Sequence, residues 1–266
     1  MPLADYLADY LPEFLTADSD IMGFFSGLVT HIAPAFIVTS PITSYADQIY
    51  SIHRTRSSAG FSLDIPLIML VASILKIFFW FGDHFALSLL YQAILMIFMQ
   101  VLLLHVALRH RPPPAAQHTP FAAHPTPRPY NFWQWRPHRP YWAFLLYFTG
   151  ALVILHVLLS STEFFTSYTS VLGFIALAIE ACLPLPQILS NQRAKSTKGF
   201  RPSVLLNWLI GDTFKLTFFF LSAEGEVPWA FKLCGMFQAC CDTYLGVQWW
   251  MYGNRAKHEK ADDIPL

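Results

Sequence analysis

The sequence predicts an all-α membrane protein with seven transmembrane helices. Three observations support this: the apolar composition, the lengths of the apolar segments and the distribution of charge. Apolar residues make up 55% of the 266 residues, charged residues make up 13%, and the mean hydropathy is +0.42. A typical soluble domain carries roughly 25% charged residues. Seven helices of about 20 residues each would take up about half of this chain and leave the rest for connections and tails.

Seven apolar segments are the candidate spans. Their approximate bounds are 21–52, 63–82, 84–108, 141–160, 165–190, 202–222 and 228–252. The first segment contains Pro34 and Pro41. Because proline removes a helical hydrogen bond and clashes with the preceding turn, we expect this first helix to be bent.

The charge distribution predicts how the chain is oriented. Fourteen of the 17 basic residues lie in four segments, 54–56, 109–139, 193–201 and 255–260. The alternate connections and the N-terminal residues 1–20 carry acidic residues and no basic one. The positive-inside rule therefore places the acidic N-terminus in the lumen and the tail, residues 253–266, in the cytosol. Opposite locations of the two termini require an odd number of spans, in agreement with seven.

Composition and motifs also exclude several functions. The net charge is zero, so the chain lacks the positive field that binding to nucleic acid requires. The four cysteines lie in apolar runs without the spacing of zinc ligands, so we expect no metal site and no cofactor. A phosphate-binding glycine loop, a metalloprotease motif and a nucleophile elbow are all absent from the sequence. We therefore expect neither an enzyme nor an ATP-driven pump.

Residues 109–140 form a linker between the two halves of the chain. The segment contains nine prolines and four histidines, a composition that favours extended polyproline geometry over a packed core. We interpret it as a solvated cytosolic tether, with a docking site for a cytosolic partner as the alternative. Near its end, Trp133, Trp135 and Trp142 have the composition of an interfacial aromatic belt.

The two halves contain an internal repeat. A shift of 139 residues aligns 48–79 with 187–218 without gaps, and 11 of the 32 positions are identical, among them Lys76 and Lys215. Four spans separate the copies, so both have the same orientation in the membrane. The sequence therefore predicts two parallel three-helix repeats, residues 21–108 and 165–252, joined by an inverting helix over 141–160. Parallel repeats of this kind are a known transporter design, with the pathway where the repeats meet.

The second copy resembles the PQ-loop repeat family. The resemblance rests on Pro186-Gln187, which a basic connection and Gly199-Phe200 follow. It implies the seven-helix, 3+1+3 fold of the SWEET sugar carriers. In the first copy Asp47 replaces the proline before Gln48, and a kink at Pro41 would substitute for it.

Two further segments, 72–82 and 211–215, resemble the eukaryotic Golgi and endosomal subgroup of this family. Members of that subgroup oppose aminophospholipid flippases. The resemblance therefore implies an integral protein of Golgi or endosome membranes that scrambles phospholipids, its partners being these lipids and the bilayer. The sequence leaves both a monomer and a homodimer open.

Polar residues inside the apolar spans are the candidate pathway. An ionisable side chain at the bilayer centre costs about 2.5–3.5 kcal/mol on insertion scales, so such groups face a partner, a cavity or water. We expect the following residues to line the pathway: Asp47, Gln48, Lys76, Glu180, Gln187, Asn207, Asp212, Lys215 and Asp242. In this family Pro184 and Pro186 resemble hinges, and we expect Pro41 to act as the third.

Spacing predicts one ion pair within this set. Asp212 and Lys215 are three residues apart on one helical face and are expected to pair. Ser73 stands at the position equivalent to Asp212, so Lys76 must find its acid elsewhere. Three acids are candidates for that role: Asp47, Glu180 and Asp242.

Three functions remain open on the sequence. A scramblase would use the polar interior as a path for lipid headgroups and would need no energy source. A proton-coupled exporter of a small solute, such as a cationic amino acid, would use a buried carboxylate as its proton carrier. A receptor or scaffold would use the linker as its working part. The resemblance favours the scramblase.

Overall fold

A computed structural model of the chain describes residues 31–58, 63–111, 137–197 and 202–262, together with residues 27, 61, 132, 133 and 135. All the regular structure in these residues is helical, which confirms the predicted all-α class. We number the helices along the chain. They are α1 (Ala33–Thr55), α2 (Asp64–Asp83), α3 (Leu87–Arg109), α4 (Arg139–Leu159), α5 (Phe165–Ala181), α6 (Leu185–Ala194), α7 (Pro202–Leu221) and α8 (Trp229–Asp262).

The helices follow the predicted spans with two differences. The predicted span 165–190 is interrupted at residues 182–184, which separate α5 from α6. Helix α8 continues ten residues beyond the predicted end at residue 252. Most of residues 1–30, which include the acidic N-terminus, lie outside the described part of the chain.

Several helices have the length and composition of membrane spans. Among the described residues, α2, α3, α4 and the combined segment Phe165–Arg193 are long and apolar enough to cross a membrane. Helix α4 is the least covered of them, and apolar side chains such as Leu146 and Tyr147 are more than two-thirds exposed. An exposed apolar surface on a long helix is typical of contact with lipid. The chain is therefore an integral membrane protein.

Each half of the chain packs around its last helix. Helix α3 packs against both α1 and α2, and α8 packs against α5, α6 and α7. The halves meet along two contacts, where α2 packs on α5 and α1 packs on α7. The stacked rings of Phe36 and Phe214, with centroids 4.8 Å apart, belong to the second contact.

The bundle has a basic end and an acidic end. The basic end holds the α1–α2 connection, the C-terminus of α3 and the N-terminus of α4; there the Ser58 amide donates to the His110 carbonyl over 2.9 Å. The acidic end holds the α2–α3, α4–α5 and α7–α8 connections. Here the Ala86 amide donates to the Glu226 carbonyl over 2.9 Å and so joins corresponding turns of the two halves.

Aromatic side chains fill the space between the halves near the acidic end. Phe79 of α2, Phe85 of the α2–α3 turn, Phe219 of α7 and Phe231 of α8 are each at most 3% exposed. The Phe85 and Phe231 ring centroids are 4.8 Å apart, and those of Phe219 and Phe231 are 5.8 Å apart. We call these four residues the aromatic plug, because they close the interior from the acidic end.

The end of the proline-rich linker joins the core. Trp133 is 1% exposed, and its indole nitrogen donates to the Leu63 carbonyl over 2.7 Å. Arg111 donates to the Trp135 carbonyl over 2.6 Å, and the Tyr141 hydroxyl donates to the same oxygen over 3.0 Å. The ring of Trp133 fills a gap between α2, α3 and α4 and so faces the core of the bundle, and its predicted place at the membrane interface stays a prediction. The central part of the linker lies outside the described residues.

Two glycines let α2 and α5 approach closely. A methyl group at Gly173 of α5 would lie 2.5 Å from ring atoms of Phe79, and one at Gly82 of α2 would overlap the Thr169 side chain. Phe79 cannot retreat, because it is packed within the aromatic plug. The interface between the halves therefore requires glycine at both positions.

We predict that Gly173→Ala lowers the free energy of unfolding by about 1–3 kcal/mol, the usual cost of overpacking a core. Thermal unfolding of the purified protein in detergent measures the effect. Gly150→Ala on α4 is the matched control, since a methyl group there meets nothing within 4 Å. Equal melting temperatures for the two variants would contradict the close packing of α2 on α5.

Candidate functional site: a charged pocket between the halves

A small pocket of about 20 Å³ lies between the halves, next to the aromatic plug. The charged side chains that line it are Lys76 of α2, Glu180 of α5 and Lys215 of α7, and the amide of Gln238 on α8 lies beside them. We call it the charged pocket. Its other lining residues are Leu89, Gln92, Leu177, Ala181, Phe219, Phe231, Cys234 and Gly235. The pocket therefore combines a polar centre with an apolar wall.

The shortest contact in the pocket is an ion pair between the two halves. Lys76 Nζ lies 2.6 Å from Glu180 Oε2, and the two side chains are only 4% and 14% exposed. Of the three acids predicted as candidates, Glu180 is therefore the partner of Lys76. Helix α2 carries the lysine about 10 Å from the acidic end, from the helical rise over the seven residues to Asp83. The pair thus lies well inside the span.

Lys215 lines the same pocket as this carboxylate. Its ammonium donates to Gln238 Oε1 over 3.0 Å and lies 3.9 Å from Asp212 Oδ1. The predicted Asp212–Lys215 pair is therefore confirmed. Both lysines interact electrostatically with Glu180. Two cations from equivalent positions of the repeat therefore act on one carboxylate.

Two aspartates lie beyond Lys215, toward the basic end. Asp212 of α7 is 6% exposed and Asp242 of α8 is 2% exposed, and their carboxyl groups are within hydrogen-bonding reach of each other. Asp212 Oδ2 and Asp242 Oδ1 are buried and have no hydrogen-bond partner. An ionised carboxylate can only accept, so a hydrogen bond between these two groups requires a bound proton.

Three amide side chains continue the polar residues toward the basic end. Gln187 donates to Asn191 over 2.7 Å, Asn191 donates to Gln248 over 3.2 Å, and Gln248 donates to the Ile188 carbonyl over 3.1 Å. Asn191 and Gln248 are at most 3% exposed. We call Gln187, Asn191 and Gln248 the amide triad. It joins α6 to α8.

The sequence identified part of this arrangement. The structure brings together five of the predicted pathway residues, and Gln187 lies nearby in the amide triad. These five are Lys76, Glu180, Asp212, Lys215 and Asp242. The sequence reasoning missed Gln92, Asn191, Gln238 and Gln248. The signal for Asn191 was its position four residues after Gln187, which places both amides on one helical face.

Three predicted pathway residues lie apart from the pocket. The side chains of Asp47 on α1 and Asn207 on α7 are exposed, and Gln48 is half-buried on α1. None of the three lines the charged pocket. Their assignment to a pathway therefore stays a prediction.

The predicted hinge prolines occupy different positions. Pro41 is buried inside α1. Pro184 is the N-cap residue of α6 and Pro186 lies in its first turn, directly after the interruption at 182–184. The second repeat thus has a break in its first helix, whereas the described helix of the first repeat runs on through its proline.

The helical bundle with a charged interior defines the chain as a polytopic membrane protein, and comparison with known families shows what it is similar to. The family model of the PQ loop repeat matches residues 35–89 and 168–225, once in each half. The chain therefore contains two PQ-loop repeats, and the predicted resemblance to that family is confirmed. The first match includes Lys76 and the second includes Glu180, Asp212 and Lys215.

A curated relative extends the comparison to nearly the whole chain. Scramblase ANY1 of Saccharomyces cerevisiae is 27% identical over 307 aligned positions, which cover 91% of this chain and 73% of the yeast protein. No solved structure matches the chain.

The two cations around Glu180 predict unequal effects of neutralising the ion pair. In the Glu180→Gln variant, Lys76 loses its carboxylate while Lys215 keeps Asp212. In Lys76→Met, the charge of Lys215 still acts on Glu180. We expect Glu180→Gln to cost about 3–5 kcal/mol of unfolding free energy, the usual cost of breaking a buried pair, and Lys76→Met to cost less. Unfolding of both variants in mixed micelles measures the difference.

The double variant Lys76→Met/Glu180→Gln tests the coupling of the two groups. We expect it to cost less than the sum of the single variants, because neither charge is then left unpaired. Glu163→Gln, at an exposed position of the α4–α5 connection, is the control for loss of a carboxylate. Additive costs for Lys76 and Glu180 would show that the two groups do not interact.

Proposed function

We propose that the chain is an energy-independent phospholipid scramblase. The observation that carries the proposal is the burial of opposite charges where the two halves meet. Further polar groups along α8 continue from these charges toward the basic end. Lipid headgroups such as phosphocholine and phosphoethanolamine also carry opposite charges, a phosphate and an ammonium. Lys76 and Lys215 are suited to the phosphate, and Glu180 and Asp212 are suited to the ammonium. No covalent bond changes, so the chain would not be an enzyme.

The energetic reason is the cost of moving a headgroup through hydrocarbon. Burial of an ionised group without a partner costs tens of kcal/mol in a dry apolar medium. A headgroup that exchanges its water for the groups of the charged pocket and the amide triad avoids most of that cost. Its acyl chains would stay in the bilayer beside the protein.

The extent of the polar groups supports this role. Gln238, Asp242 and Gln248 are distributed over ten residues of α8, about 15 Å along the helix axis. The hydrocarbon core of a bilayer is about 30 Å thick, so these groups would shorten the apolar crossing by about half. The aromatic plug covers the remaining part toward the acidic end. We propose that relative movement of the halves opens the plug, with the break at 182–184 as a hinge.

The proposed topology is two parallel three-helix repeats joined by α4, with the N-terminus in the lumen and the basic end in the cytosol. The equivalent positions of α3 and α8 within their halves support the repeat, as does the hydrogen bond between the α2–α3 and α7–α8 turns. The basic connections support the orientation. Location in Golgi or endosome membranes, antagonism to aminophospholipid flippases and homodimer formation rest on the family resemblance alone. The name of the yeast relative supports lipid scrambling.

We predict that the purified chain exposes inner-leaflet lipid to an external reagent. Vesicles that contain fluorescent phospholipid and no protein lose about half of their signal to a membrane-impermeant quencher, since only the outer leaflet is accessible. Vesicles with the protein should lose nearly all of it without ATP. The later part of the signal loss reports lipid that moves from the inner to the outer leaflet. This part should be slower with Glu180→Ala, whereas vesicles with Glu163→Gln should lose signal at the wild-type rate. Half-protection with correctly inserted wild-type protein would disprove the proposal.

The paired aspartates favour one second candidate function. A proton held between Asp212 and Asp242 could be exchanged for a small cation, as in a proton-coupled exporter of cationic amino acids. Such a carrier would show solute uptake that depends on a pH gradient and is lost in Asp242→Asn. A scramblase would move lipid at the same rate with and without that gradient.

A further inference from the structure

We propose that a groove at the basic end, between the C-terminus of α3 and the N-terminus of α4, binds the headgroup of an anionic phospholipid. The groove has a volume of about 280 Å³ and is lined by His105, Leu108, Arg109, His138 and Trp142. It is separate from the charged pocket. Gln92 lines that pocket and Arg109 lines the groove, and the 17 residues between them correspond to about 25 Å along α3. The inference does not depend on whether the chain scrambles lipid.

The charges of the groove suit an anion. Arg109 contributes a permanent positive charge, and His105 and His138 contribute two imidazoles that can donate hydrogen bonds. Their side chains are exposed, and none of the five lining residues is acidic. A phosphate group can therefore approach all three side chains without meeting a carboxylate among them.

The backbone of α4 adds to the attraction. His138 is the N-cap residue of α4, no side chain caps this helix end, and no acidic residue lies in the first turn. The dipole of a helix N-terminus favours a negative charge. Arg109 lies in the last turn of α3, where it offsets the opposite dipole of that helix. Side chains and backbone thus favour the same type of ligand.

The position of the groove identifies the anion as a lipid headgroup. Trp142 is half-buried in the wall of the groove, and indole rings concentrate at the level of headgroups. One turn further along α4, Leu146 and Tyr147 are 71% and 75% exposed and can cover acyl chains of the same lipid. Basic pockets between membrane helices are known to bind anionic headgroups. A soluble phosphate ion has no acyl chains and would not contact the apolar surface formed by Leu146 and Tyr147.

Spin-labelled lipids test the site in reconstituted protein. In vesicles of phosphatidylcholine, electron paramagnetic resonance measures the fraction of spin-labelled phosphatidylserine held at the protein, relative to spin-labelled phosphatidylcholine. Wild-type protein should prefer phosphatidylserine. Arg109→Gln should reduce that preference by up to about fivefold, the contribution expected of one basic residue at a membrane surface. Arg109→Lys should keep most of it.

Arg54→Gln is the matched control, because Arg54 is an exposed arginine at the same end of the bundle but outside the groove. It should leave the preference unchanged. An equal loss in both variants would show a general surface potential and overturn the proposal, and so would an unchanged preference in Arg109→Gln. Displacement of the labelled lipid by inorganic phosphate, but not by the same concentration of chloride, would also overturn it, in favour of a site for soluble phosphate.

Discussion

The neutralisation of charge inside an apolar bundle is the constraint on which the rest of the structure depends. Lys76 is 3% exposed on α2, a helix that is long and apolar enough to cross a membrane. Its ammonium therefore needs a counter-charge from another helix. Glu180 supplies it from the other half of the chain, 104 residues away. Because the same carboxylate also faces Lys215, three helices from both halves are held to one point. The relative position of the halves therefore follows from the charge balance as much as from apolar packing.

Close helix packing makes that ion pair geometrically accessible. The side chains of Lys76 and Glu180 meet only if the axes of α2 and α5 are near each other, and Gly82 and Gly173 remove the side chains that would separate them. Phe79 occupies the space over Gly173 and continues into the aromatic plug. The glycines, the plug and the charged pocket thus form one unit: a larger residue at position 173 would displace the plug and stretch the ion pair together.

Most of the fold was predictable from the sequence, whereas the site was predictable only where a formal charge marks it. Apolar segments of span length define their own helices, and an ionisable residue inside one, such as Glu180 or Asp242, is conspicuous because its burial is costly. Neutral amides are less costly to bury and more common, so Asn191 gave no comparable signal. The burial of Trp133 depends on a tertiary gap that no local pattern encodes. Asp47 is a different case, since an acid within an apolar segment can lie on an exposed face of its helix, outside the charged pocket.

The internal repeat accounts for the lysines and for Gln187, whose equivalent is Gln48, but not for Asp212 and Asn191. Lys76 and Lys215 occupy equivalent positions and share Glu180, which preserves the symmetry at the centre of the molecule. At two other polar positions the symmetry is lost, because Ser73 stands opposite Asp212 and Ile52 stands opposite Asn191. Ser73 and Ile52 are both 2% exposed, so the first half offers packed core where the second half offers carboxylate and amide. A headgroup in the interior would therefore follow α7 and α8, with the first half contributing one cation and an apolar wall.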